Sequence, residues 1–89
     1  MSKISKEKSD KIKESILSYL YEVNPKALFT ADIAREILRD EEFTKRLLFE
    51  LKETSLVKEI SKSSKGKEFL VRRRWQLSDS AFTAFKKLS

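Results

Sequence analysis

Residues 34–57 read AREILRDEEFTKRLLFELKETSLV, and their spacing decides how the rest of the chain folds. A short helix is expected from about Ala31 to Arg39, with Ile33, Ala34, Ile37 and Leu38 on one face. It breaks at Asp40. A longer helix then runs to about Thr54, in which Thr44, Leu47, Leu48 and Leu51 recur at three- and four-residue steps. Asp40 suits the N-cap of this second helix, because its carboxylate accepts the free backbone N–H groups of a first turn. Two amphipathic helices joined by so short a turn cross steeply, and a small residue such as Ala34 allows close approach.

Beyond Val57 the hydrophobic period changes from helical to alternating. Val57 to about Lys62 and Lys67 to Leu77 form two extended runs separated by Ser63-Ser64-Lys65-Gly66. The only glycine in the chain sits in that loop, where a turn needs positive φ. A β-hairpin is predicted. Its second strand presents Phe69, Val71, Trp75 and Leu77 on one face, and Leu70, Arg72, Arg74 and Gln76 on the other. Arg73 interrupts the apolar face, and at the outer end of the strand its stem packs while the guanidinium reaches water. The chain closes with a helix to Leu88, N-capped by Ser78, with Asp79 at its positive start and Lys86 and Lys87 at its negative end.

On the other side of the motif, residues 1–8 are polar and Lys-rich and read as a flexible basic tail. A first helix follows from Ser9 or Asp10 to Glu22, with Ile12, Ile16, Tyr19, Leu20 and Val23 as its apolar stripe. Asn24-Pro25 ends it, since a residue before proline avoids helical geometry. Ala27-Leu28-Phe29 is a candidate short strand, and Thr30 a candidate cap for the helix after it.

The run Ile33-Ala34, then Thr44-Lys45-Arg46-Leu47-Leu48-Phe49-Glu50-Leu51, then Lys52-Glu53-Thr54-Ser55-Leu56-Val57 resembles the winged helix-turn-helix of small transcriptional regulators. There an Ile-Ala pair is followed by a helix with a hydrophobic-polar-Arg-x-Leu-x-x-Leu core, which exits through Gly-Leu-Val into a strand. The resemblance extends over residues 9–88, because the second hairpin strand runs through Leu77-Ser78 into a final helix, as in that family. Leu38, Ser55 and Ala81 stand where the family often has Gly, and Asp40-Glu41-Glu42 is an unusually acidic start for its second helix. The resemblance implies a mainly α domain with a small β-hairpin, ordered α-β-α-α-β-β-α, over residues 9–89. It further implies double-stranded DNA binding as a small transcriptional regulator, with the hairpin as the wing.

Composition restricts the alternatives. Eighty-nine residues make one domain near the lower limit for a single core, and 39% hydrophobic residues with nine aromatics suffice to build it. There is no apolar run of membrane-spanning length and no secretory leader pattern, so a soluble cytoplasmic protein is expected. With no His, no Cys and no Gly-rich phosphate loop, neither catalysis nor a metal or other cofactor is expected. The 38% charged residues, with few Gly, Pro, Asn or Gln, fit a thermophilic, archaeal source as a hypothesis.

Charge placement matters more than the net +6. Residues 58–74 carry +5, whereas residues 40–53 carry −2. Lys62, Lys65, Lys67, Arg72 and Arg74 are therefore the candidate phosphate contacts, since cations there release counterions from a polyanion. The bland alternative is a soluble Lys/Ser turn. Helix-turn-helix proteins place the second helix in the major groove, which makes Glu42, Lys45, Arg46 and Phe49 the candidate base contacts. Lys45 and Arg46 are equally an exposed face paired with Glu42, Glu50 or Glu53. Phe49 has three readings: half-buried against the wing, on a thymine methyl, or in a protein interface. Tyr19, Tyr21, Phe82 and Phe85 are candidate contacts of a homodimer, although Phe82 and Phe85 also suit the core. No small-molecule ligand is implied. The competing reading is a winged-helix module that docks on protein and leaves DNA unread.

Overall fold

The computed structural model describes residues 6–61 and 73–88. Helix α1 spans Lys6–Val23, strand β1 Leu28–Phe29, α2 Thr30–Ile37, α3 Glu41–Glu53, β2 Val57–Ser61, β3 Arg73–Leu77 and α4 Asp79–Leu88. This is the expected order. Lys62, Lys65, Gly66, Lys67, Phe69, Leu70, Val71 and Arg72, named above, lie outside the described residues.

The three strands form an antiparallel sheet in the order β1-β3-β2. Leu28 pairs with Trp75 and Phe29 with Arg74 on one side of β3. On the other side Val57 pairs with Leu77, Glu59 with Trp75 and Ser61 with Arg73. Alternation along β3 therefore sends Trp75 and Leu77 to the core. They meet Ile16, Leu17 and Leu20 of α1, Ile33 of α2, and Leu47, Leu48 and Leu51 of α3. Of the helical stripes read from spacing, Ile16, Leu20, Ile33, Ala34, Thr44, Leu47, Leu48 and Leu51 are buried.

At the centre is Trp75, fully buried, whose indole Nε1–H donates to Thr30 Oγ1 at 2.8 Å. This corrects the capping role given to Thr30. The N-cap of α2 is Phe29, with no side-chain cap bond, because the Thr30 hydroxyl is turned inward to the indole. A buried N–H without an acceptor is costly enough to decide that competition.

Two further corrections are local. α1 begins at Lys6, where Lys6-Glu7-Lys8 are good helix formers and Glu7 suits the positive end of the helix dipole. Leu38, placed by spacing on the apolar face of α2, is instead 87% exposed. It is the left-handed residue that stops the helix, with φ 60°. The Leu38 and Arg39 amides donate back to Arg35 and Ala34, the paired bonds of a Schellman motif. Ser55 closes α3 the same way at φ 65°, with Leu56 N–H to Leu51 O and Ser55 N–H to Lys52 O. Both are positions where the family resemblance expected Gly. Leu38→Gly should therefore stabilise the domain by about 0.5–1 kcal/mol, the relief of a left-handed Cβ less the entropy of glycine. A thermal melt that fails to rise by a few degrees would contradict this.

The remaining caps are as expected. Asp40 Oδ1 accepts from Phe43 N–H at 3.0 Å. Ser78 Oγ accepts from Ala81 N–H at 3.1 Å and donates to Ser55 O at 2.8 Å, so one hydroxyl caps α4 and anchors it to the end of α3. Among the described residues no helix is long and apolar enough to cross a membrane.

Candidate nucleic-acid interface

Burying Thr44, Leu47, Leu48 and Leu51 leaves the opposite surface of α3 to Glu42, Phe43, Lys45, Arg46 and Phe49. The acidic start is largely accounted for by structure. Asp40 caps the helix, and Glu42 lies 3.8 Å from Lys45 Nζ. The Arg46 guanidinium stacks over the Phe43 ring at 5.4 Å and makes no ion pair among the described residues. Asp40, Phe43, Lys45, Arg46 and Phe49 line a shallow concavity of about 510 Å³.

A second concavity, of about 410 Å³, opens between α2, α3 and β3. Arg35, Lys45 and Arg73 bring three cations to it from those three elements, with Asp32 and Glu41 as the acids. Lys45 lines both concavities, so the exposed side of α3 and the base of the wing form one continuous surface.

The two adjacent arginines of β3 lie on opposite faces of the sheet, as the alternation of the strand predicts. Arg74 pairs with Phe29 on the face of the sheet away from Trp75, with its guanidinium 5.3 Å over the Phe29 ring. It is thereby turned from α3. Arg73 takes the α3 side. Its guanidinium lies 5.3 Å over the Phe49 ring, and Nε donates to Glu59 Oε2 at 2.5 Å. The same carboxylate accepts from Lys52 Nζ through Oε1 at 2.8 Å. Phe49 is the first of its three readings: half-buried, edge-on to Trp75 at 5.4 Å, with Lys52 and Arg73 over its ring. That position makes it a support for the Lys52 and Arg73 cations.

Neither Arg73 nor Glu59 is among the candidate contacts read from the sequence, although counting by twos places both on the core-facing side of the sheet. Arg73 precedes Trp75 by two, and Glu59 follows buried Val57 by two.

The Glu59 carboxyl is held below its ordinary value of 4.5, chiefly by the Lys52 hydrogen bond, against the opposing effect of burial, with Arg73 adding to the lowering. A carboxyl with a depressed folded-state pKa contributes stability in full above its unfolded value. That contribution is lost as pH falls through the lower folded value. Urea denaturation at pH 6 and pH 3 should accordingly show Glu59→Gln losing less stability on acidification than the wild type. Equal losses would remove Glu59 from the acid response.

The dimer candidates are largely used within one chain. Tyr21 stacks on Phe85 with centroids 5.6 Å apart and leans on Phe82 at 5.4 Å, joining α1 to α4. Phe82 and Phe85 are half-buried, with Tyr21 of α1 as their aromatic partner. Tyr19 lines a separate groove of about 730 Å³ between α1 and α2.

No protein-family profile matches the sequence, and no curated protein matches it. Solved structures do. MepR of S. aureus in complex with DNA superposes with a TM-score of 0.71 at 23% identity, over 91% of this chain and 66% of MepR. An apo ZitR variant from Lactococcus lactis gives 0.67 at 25% identity, over 91% of this chain and 56% of ZitR. The Zalpha domain of Carassius auratus PKZ, in complex with Z-DNA, gives 0.60 at 20% identity, over 78% of this chain and 95% of that domain. The chain thus spans between about half and two thirds of the MepR and ZitR chains. With its element order, its three-stranded sheet and these likenesses, the chain has the winged helix-turn-helix fold.

Proposed function

We infer that the chain binds double-stranded DNA, with α3 addressing the major groove and the base of the wing meeting phosphates, as a small transcriptional regulator. One observation carries this reading: Arg35, Lys45 and Arg73, from three separate elements, line a single concavity beside the exposed face of α3 that bears Arg46. Cations gathered along one surface neutralise several phosphates together, and each released counterion adds affinity. The DNA and Z-DNA complexes among the structural neighbours support the reading by likeness of fold. Lys62, Lys65, Lys67 and Arg72 extend the positive charge along the hairpin sequence and belong to the same proposal. Regulators of this size read two-fold sites as homodimers, with half-sites about one helical turn apart. Exposed Leu88 at the end of α4 offers a surface for such pairing.

A mobility-shift series with a random-sequence duplex tests the central claim. Log affinity should fall linearly with log salt, with a slope of about −0.9 for each phosphate neutralised. The competing protein-docking reading draws on Asp40, Glu42 and Phe43, which put acid and apolar surface on α3. Absent or salt-independent duplex binding would favour it and overturn the DNA reading.

A further inference from the structure

Lys52, Glu59 and Arg73 lie on α3, β2 and β3, and one carboxylate joins all three elements. Its position follows from register. Glu59 is opposite Trp75, so it shares the core-facing side of the sheet, and Arg73 lies one pair further along on that side. The Glu59 side chain is only 13% exposed, whereas those of Lys52 and Arg73 are each 46% exposed. The acid is therefore the inner member, with both cations facing outward. Phe49 supports them from below, and its own ring is fixed edge-on by Trp75. Among the described residues Arg73 bonds to Glu59 through Nε, and its Nη donors are on the side of the concavity it shares with Lys45.

A free arginine loses side-chain entropy when it grips a phosphate. Here that ordering is already in place before any ligand arrives. We propose that Glu59 is a positioning residue for DNA binding, one that holds Arg73 against Phe49 with its guanidinium presented to a backbone phosphate beside α3. This rests on the DNA-binding reading given above. It makes a counter-intuitive statement, because Glu59 is itself an anion near a polyanion. Simple charge repulsion predicts tighter binding when the carboxylate is removed, and positioning predicts weaker binding.

The test measures fluorescence anisotropy of a random-sequence duplex with the full chain, in wild-type form and as Glu59→Gln, Glu59→Asp, Arg73→Ala and Glu59→Gln/Arg73→Ala. Circular dichroism checks that each is folded. Glu59→Gln should bind about five- to tenfold more weakly despite its extra net positive charge, the loss expected when one preordered side chain becomes free. Glu59→Asp keeps the charge but shortens the reach, so it should also weaken binding, and it serves if the glutamine variant does not fold. The double variant should bind like Arg73→Ala alone, since Glu59 acts through Arg73. Equal or tighter binding by Glu59→Gln, or additive losses in the double variant, would overturn the proposal while leaving DNA binding intact. A wild type that binds no duplex would overturn both.

Discussion

Trp75→Ala should cost roughly 3–5 kcal/mol, a large part of the total stability of so small a domain. The residue is wholly buried at the junction of α1, α2, α3 and the sheet, so truncation opens a cavity that several elements line at once. Loss also comes from the indole hydrogen bond to Thr30, which fixes the start of α2 relative to β3. Two companion substitutions separate these effects. Trp75→Phe keeps most of the volume and should cost less than alanine. Thr30→Val leaves the shape almost unchanged but orphans the buried N–H, for a loss of about 1–3 kcal/mol. Urea denaturation decides: a Trp75→Ala loss below about 1 kcal/mol would mean that the core is centred elsewhere.

Removing both cations of the exposed α3 face, Lys45→Ala with Arg46→Ala, should weaken duplex binding by about a hundredfold, at 1–3 kcal/mol for each lost contact. Arg46 and Arg73 should differ in kind. Arg46 stands clear of any carboxylate among the described residues and projects from the middle of α3, so its loss should change the preference among sequences. Arg73 lies at the base of the wing, and its loss should weaken binding to all duplexes alike and flatten the salt slope by about one unit. Arg74→Ala should have the smaller effect of the two β3 arginines, because it sits on the other face of the sheet over Phe29. Competition binding against a panel of duplexes reads both quantities. A uniform loss for Arg46→Ala would remove it from base readout.

Much of this was legible from residue spacing. The three- and four-residue steps of α3, the Asp40 and Ser78 caps and the alternation around Trp75 are local properties, and local physics fixes them. What escaped depends on partners far along the chain. Thr30 meets Trp75 across 45 residues, and Arg73 meets Glu59 across 14. From either residue alone, a hydroxyl before a helix reads as a cap, and an arginine among arginines reads as solvent charge. Leu38 was misplaced for a related reason. Helical spacing assumes the helix continues, and it stops one residue earlier.

The pairing of β3 on both edges has a consequence for how such a chain can diversify. Leu28 holds Trp75 from one side and Val57 holds Leu77 from the other, so a slip by one residue would turn tryptophan outward and swap the two arginines. Insertions and deletions are accordingly forbidden inboard of Arg73. Descendants of this sequence can therefore recharge the exposed faces of α3 and β3 by substitution, while the anchoring foothold keeps its register.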